Sequence, residues 1–392
     1  MRSTNGALIA TVAAVSVAAV VAGGAIAAWH GPPLTYNGPA IPLVASEPAS
    51  AQAPSAPVDT PTPSTYGTSA SAIDLAKLPQ GRAPQMTYLR GRALIGGAGT
   101  EITFPGRQNI LAAVRFGGTA LALLEVGLGG SELARLDVNG TRFESNRLPD
   151  VQSIKTTPDN TIVAFGTAPK NADHTAARGS AVYWQRSDEP DNLRRLDRPS
   201  DWGSTVLAVT GNTVYFRSEA GPGRDRATFS RWDSHTGKVE QLEGVVLPQV
   251  MNHAATAVAD SVRGGSQTFC TALVAIKSRS IRWQTCELAI KGFTPNDQFA
   301  MAGPGFRNGG ADPSLTVVNA DSGAVVRKWT GVGFVQVVAE DDEHLLITAD
   351  SGEGTAGAII RCAISTGGCE RATELSKKNP VRSLDLRLID AV

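Results

Sequence analysis

Four cysteines, five histidines, an acidic run and a set of loop arginines are the side chains of this 392-residue sequence whose types and spacing could do chemistry. Cys270 and Cys286 lie symmetrically about Ser278, and Cys362 and Cys369 flank the turn Ser365-Thr366-Gly367-Gly368. If both turns close β-hairpins, each pair faces across neighbouring strands. Opposed Cα atoms there lie about 4.5–5.5 Å apart, within disulfide reach. Two local cross-strand disulfides are therefore expected, suited to an oxidising exterior. The alternative is four reduced, buried thiols. No Cys-x-x-Cys redox motif is present. His30, His174, His235, His253 and His344 have no metal-ligating partner at i+2 or i+4 and read as surface or hydrogen-bonded side chains. The run Glu340-Asp341-Asp342-Glu343 lacks the Asp-x-Asp-x-Asp spacing of a calcium loop and reads as a solvated turn. Asn139-Gly140-Thr141 matches a glycosylation sequon, but Asn-Gly is also hairpin-turn chemistry. There is no Gly-x-Ser-x-Gly elbow, so an α/β-hydrolase active site is not expected. Nor is a cofactor.

The elements that must position these residues are short β-runs broken by Gly, Asn, Asp and Pro, with two recurring turn families. The first is a tight polar turn before a strongly apolar strand. It occurs at Gly117-Gly118, Asp159-Asn160, Gly211-Asn212, Asn296-Asp297 and Asp341-Asp342, with a degenerate member near Asp260. The second family, out of phase, has its glycines at 140, 237, 323 and 367, with the missing members filled by Asp188 to Asn192 and Lys277 to Ser280. Each family repeats about every 45 residues, and a fixed period of that size marks a repeat architecture. Two interleaved turns per period make a four-stranded unit, a–b–c–d. Such units arrayed about an axis form a β-propeller. An earlier c–d hairpin spans residues 92–104, and Leu384 to Ile389 is a lone alternating strand at the other end. The expected fold is all-β: six continuous blades and one composite closing blade that joins the last strand to residues 85–104, seven in all. Six or eight blades are the alternatives. Closure leaves no open sheet edge.

The run Thr157-Pro158-Asp159-Asn160-Thr161-Ile162-Val163-Ala164-Phe165 resembles the Ser-Pro-Asp-Gly-x-x-[Ile/Leu]-Ala-Phe signature of TolB-like, WD40-like propeller repeats, and Thr294-Pro295-Asn296-Asp297 is a weaker copy. The Gly-His and Trp-Asp pairs of true WD40 blades do not recur along the repeat. Trp232-Asp233 with Thr236-Gly237 is faintly similar to a quinoprotein blade, but that family's repeated Trp docking pattern is not found. The TolB-like resemblance implies an interaction platform.

Residues 1–6 read as a short cytoplasmic tail and 7–29 as a transmembrane anchor, since Ala7 to Ala28 has only Thr11 and Ser16 as polar side chains. A bilayer needs about 20 such residues. Arg2 precedes the stretch and no Lys or Arg follows until Lys77, which places the C-terminal body outside. The rival reading is a signal peptide cleaved at Ala25-Ile26-Ala27, leaving a secreted protein. Residues 30–82, with ten of the 23 prolines, read as an extended linker that reaches about 150 Å at ~3.1 Å per residue. Residues 83–392 form the propeller.

Lys+Arg 36 balance Asp+Glu 36, so the chain offers no pull toward nucleic acid. The b–c connections of all blades should emerge on one face. Several are long and basic, bringing Lys170, His174, Arg178, Arg224, Arg226, Arg263, Arg307 and Asn308 to a face suited to an anionic partner. The bland reading is ordinary polar loops. The innermost strands, such as Val206 to Thr210 and Val335 to Ala339, carry no carboxylate. The expectation is a monomeric, non-catalytic, membrane-tethered extracytoplasmic module for a protein or cell-envelope polymer. The alternatives are a lactonase-, lyase- or glycosidase-type propeller enzyme working in the central channel, and a sensor subunit that signals through a partner helix.

Overall fold

The computed structural model describes residues 70–97, 99–127, 129–137, 139–222, 227–263, 269–305, 311–351, 356–377 and 385–389. The tail, the anchor and the linker as far as residue 69 lie outside them. Among the described residues every regular element is a β-strand, and no helix is long and apolar enough to cross a membrane.

The strands form five four-stranded sheets and one of eight. Four of the smaller sheets are antiparallel meanders. The first comprises Ile110–Phe116, Thr119–Val126, Gly130–Arg135 and Leu148–Pro149; the second Val151–Thr156, Ile162–Thr167, Ser180–Arg186 and Arg194–Arg198. The third comprises Gly203–Thr210, Thr213–Glu219, Ala227–Asp233 and Val239–Gln241; the fourth Pro248–Met251, Ala257–Arg263, Phe269–Ala275 and Ser280–Thr285. The eight-stranded sheet runs through Leu288–Phe293, Phe299–Pro304, Asp312–Asn319, Val325–Ala339, His344–Asp350, Gly357–Ala363 and Cys369–Arg371. Its long strand Val325–Ala339 changes partner near Gly331: its first half is outermost against Asp312–Asn319, and its second half is innermost against His344–Asp350. The fifth small sheet is composite. Leu386–Leu388 is its inner strand, followed outward by Tyr88–Arg90, Ala93–Ile95 and Ile102–Thr103.

The inner strands of successive sheets pack on one another from Ile110–Phe116 round to Leu386–Leu388. The circuit closes where the Arg387 guanidinium donates to the carbonyls of Ile110 and Leu111, at 3.2 and 2.6 Å. This is a β-propeller with the composite closure expected from the repeat. It explains the apolar runs in the sequence. A second strand such as Ile162–Thr167 is covered by neighbouring sheets on both faces and is buried at every position. The outermost Arg194–Arg198 meets solvent and alternates. The core is accordingly divided into clusters between sheets, as where Trp184 and Val182 meet Val206, Val214 and Phe216.

The signature turn is a side-chain lattice. Asp159 Oδ1 accepts from the Thr157 hydroxyl at 2.5 Å and the Thr161 N–H at 3.1 Å, while Thr157 Oγ1 accepts from the Ile162 N–H. Asn160 takes the left-handed position, φ 58°. The weaker copy builds the same turn: Asn296 Oδ1 accepts from Thr294 and Gln298, Phe299 N–H donates to Thr294 Oγ1, and Asp297 has φ 60°. The degenerate member is not near Asp260, which is buried in mid-strand. It is Asn252 to Thr256, where Asn252 Oδ1 accepts the N–H groups of Thr256 and Ala257. These turns also link neighbours. Asp297 accepts from Asn252 Nδ2, His253 N–H and Ala254 N–H of the preceding sheet, and Asp342 accepts from Asn296 N–H. Tryptophan docking between neighbours, not visible in the sequence, is present too. The indole N–H groups of Trp184, Trp283 and Trp329 donate to the carbonyls of Gly211, Ala320 and Gly367 at 3.0, 2.8 and 3.0 Å.

Composition assigns residues up to 82 to the linker, yet the chain is already docked at Ala70. Ala70–Ala72 pairs in parallel with Lys328 to Thr330, Ile73 and Leu75 are buried, and Gln80 bridges Arg371. The approach is so close that a Cβ at Gly331, φ 93°, would lie 2.5 Å from the Ile73 carbonyl oxygen. The end of this strap is gripped by Arg361, which donates to the carbonyls of Arg82 and Ala83 at 3.0 and 2.9 Å and forms ion pairs with Glu340 and Glu370.

Both expected disulfides are present, Cys270–Cys286 and Cys362–Cys369, with Cα separations of 3.9 and 4.1 Å. Replacing Cys270 and Cys286 with serine removes a cross-link over 16 residues and is expected to lower stability by about 3 kcal/mol in denaturant titration. Arg361→Met strands Glu340, whose side chain is 0% exposed. It is expected to cost about 3–5 kcal/mol by the same measurement; a loss below 1 kcal/mol would show that the network does not hold the strap.

Candidate functional site

The loop 168–179 carries three of the residues singled out from the sequence. It folds on itself, with Asp173 Oδ1 accepting from the Thr175 N–H and hydroxyl and His174 in the left-handed region at φ 64°. Lys170 reaches one neighbouring sheet, its ammonium donating to the Gly129 carbonyl. Arg178 reaches the other and lies over the Trp202 ring at 5.5 Å. The two side chains therefore clamp adjacent loops in opposite directions. Arg263 ends the strand Ala257–Arg263, and its side chain lies outside the described residues, as do Arg224, Arg226, Arg307 and Asn308.

The acidic run is not uniformly solvated, contrary to the reading of it as a surface turn. Its four carboxylates diverge. Glu340 is buried with Arg361 and accepts the Gln85 N–H at 2.6 Å. Asp341 caps the N–H groups of Glu343 and His344 and accepts from His344 Nδ1 at 2.9 Å, and Asp342 serves the neighbouring turn. Burial pushes the Glu340 carboxyl upward, but hydrogen bonds from Arg361 and Gln85, with the charges of Arg361 and Arg82, outweigh it and hold its pKa below the ordinary value of 4.5. No group of three or more potential metal ligands occurs among the described residues.

What the inner strands do bring together is the lining of an axial channel. Its wider half, a cavity of about 490 Å³, is lined by Gln152 and Lys155 of one strand, Thr205 of the next, Gln249 of the third and Lys291 of the fourth, among apolar neighbours. Gln152, Thr205 and Gln249 lie toward the starts of their strands, the end from which the b–c loops emerge, whereas Lys155 and Lys291 lie deeper, toward the a–b turns. Gln152 Nε2 donates to Thr205 Oγ1 at 3.2 Å, and the Lys291 ammonium is ion-paired with Asp312. Among the described residues no carboxylate is part of this lining, though that of Asp312 reaches Lys291. Sequence reading missed it because each strand contributes one or two polar residues, separated from the next set by about one repeat period. The only signal was a single polar position inside otherwise apolar runs.

The chain matches no family model and no curated protein sequence. Its fold is similar to that of solved structures at low identity. Two prolyl endopeptidases, analysed for inter-domain dynamics in catalysis and specificity, are matched at TM-score 0.51 and 12% identity over 77% of this chain and 53% of theirs. The chain thus spans about half the length of those enzymes. TolB from Acinetobacter baumannii is matched at TM-score 0.41 and 15% identity, over 65% of this chain and 68% of that one. The β-propeller domain of the Trilobed protease from Pyrococcus furiosus is matched at TM-score 0.49 and 10% identity, over 69% and 86%. At these identities the likeness concerns the fold, a β-propeller.

Because the folded pKa of Glu340 is depressed, the stability it contributes is fully present above about pH 4.5 and is lost as pH falls through the folded value. Glu340→Gln is expected to be less stable at neutral pH and to show a flatter decline as pH falls below about 4.5 in pH-resolved unfolding. Parallel curves for the two proteins would refute the assignment.

Proposed function

We propose that this chain is a non-catalytic extracytoplasmic β-propeller of seven blades that binds an anionic protein segment or cell-envelope polymer where its axial channel opens among the b–c loops. The count takes each half of the eight-stranded sheet as one blade beside the five small sheets. Residues 7–29 serve as its membrane anchor. Two disulfides suit an oxidising exterior. The observation that carries the functional reading is the channel lining: Lys155 and Lys291 with Gln152 and Gln249, and no carboxylate among its described residues. Such a lining supplies hydrogen-bond donors for recognition; the Lys291 charge is balanced by Asp312, and the lining reads as a recognition surface rather than a site of turnover. Glu340, the carboxylate near the other end of the channel, is committed to Arg361. We propose Lys170, His174 and Arg178, on the loop 168–179, as the outer rim of the same face, with the first and last also bracing neighbouring loops; Arg224, Arg226, Arg263, Arg307 and Asn308 are assigned to that rim from the sequence alone, their side chains lying outside the described residues.

The test is binding of the full-length protein in detergent to polyglutamate and to polyphosphate, with Lys155→Gln/Lys291→Gln and the rim variant Arg178→Ala/Arg224→Ala/Arg307→Ala beside it. Salt-sensitive binding that falls at least tenfold in the lysine variant is expected. Absence of binding to either polymer, or binding unchanged in both variants, would sink the reading.

A further inference from the structure

Beyond the wider cavity, toward the a–b turns, lies a second one of about 150 Å³. Met86, Met251 and Met301 line it, and with Met1 these are all the methionines in the sequence. Phe293 and Val338 complete an apolar wall, and Val250 and Lys291 line both cavities. At Gly292 the Met301 methyl takes the place of a side chain: a Cβ there would lie 2.7 Å from Met301 Cε, with no other atom within 4 Å. Thioether side chains adapt to irregular apolar occupants, and an apolar cavity of this size accepts a body about as large as benzene.

We propose that the channel binds a small anionic amphiphile, with an apolar segment of roughly six carbons or one ring among the three methionines and its carboxylate or phosphate at Lys291 and Lys155. This rests on the anion-binding reading of the channel and adds the ligand's second half. Lys291 lines both cavities and so stands at their junction, where a head group would share its ammonium with the Asp312 carboxylate. At the far rim, Glu340 is neutralised by Arg361 and does not oppose an anion.

The experiment uses full-length protein labelled with 13C at the methionine methyls, titrated with butyrate, hexanoate, octanoate and octanol. Octanoate is expected to shift the three cavity methyl resonances and leave that of Met1 unmoved. Each added methylene should tighten binding about fourfold up to six chain carbons. Octanol should bind at least tenfold more weakly than octanoate, and Lys155→Gln/Lys291→Gln should lose the same factor. Gly292→Leu should abolish octanoate binding while leaving polyglutamate binding unchanged. The chain-length series needs no variant, so a misfolded substitution leaves the test intact. Unmoved methionine resonances beside intact polyglutamate binding would overturn the amphiphile and spare the anionic reading. Octanol binding as tightly as octanoate would overturn the head-group assignment. Octanoate binding without polyglutamate binding would support this inference and remove the polymer as a ligand.

Discussion

A ring of sheets is closed most directly when its two ends share one sheet. Here that condition rests on three residue pairs, Tyr88 with Leu388, Leu89 with Arg387 and Arg90 with Leu386. The inner strand of the closing sheet comes from the C-terminal end of the chain and its three outer strands come from near the start. Most other contacts between sheets are made between segments close in sequence and carry a modest loop-closure cost. This one spans nearly the whole domain, so its entropy is the largest single loop term. It is offset by burial of Leu386 and Leu388 beside Tyr88 and Leu346, and by the Arg387 bonds to Ile110 and Leu111. Arg387 forms these bonds with its pKa lowered by burial, so the latch consists of carbonyl acceptors around a partly desolvated guanidinium.

A second device secures the start of the domain. Arg361 sits on the strand Gly357–Ala363 and links the strap, the end of an inner strand and the strand Cys369–Arg371. A buried guanidinium is tolerable because two carboxylates and two carbonyls surround it. The same group removes Glu340 from the chemistry of the channel.

Much of this was legible in the chain. Repeated turn chemistry exposes the four-stranded unit, because Thr157 and Asp159 can close a turn only with their own near neighbours. The lone strand at the end of the repeat predicts the composite sheet. The Asn252 turn was misplaced because asparagine there does with one side chain what threonine and aspartate share elsewhere, so no common letters survive. The strap was missed for a different reason: its composition is that of a linker, and only Ile73, Leu75 and the carbonyls beside Arg361 give it a place. The basic loops were read by type alone, which does not reveal that Lys170 and Arg178 are spent on neighbouring loops. The channel was illegible because its lining is assembled across repeats.

The strand Val325–Ala339 belongs to two sheets at once, outer in one and inner in the next. Backbone continuity through Gly331 to Gly333 denies those sheets the independent slippage available to partners that meet only through side chains. Local opening of either one must drag the other, so this sector of the ring behaves as a single cooperative unit of fluctuation. The strap, laid along the outer half of the same strand, is tied to that shared unit.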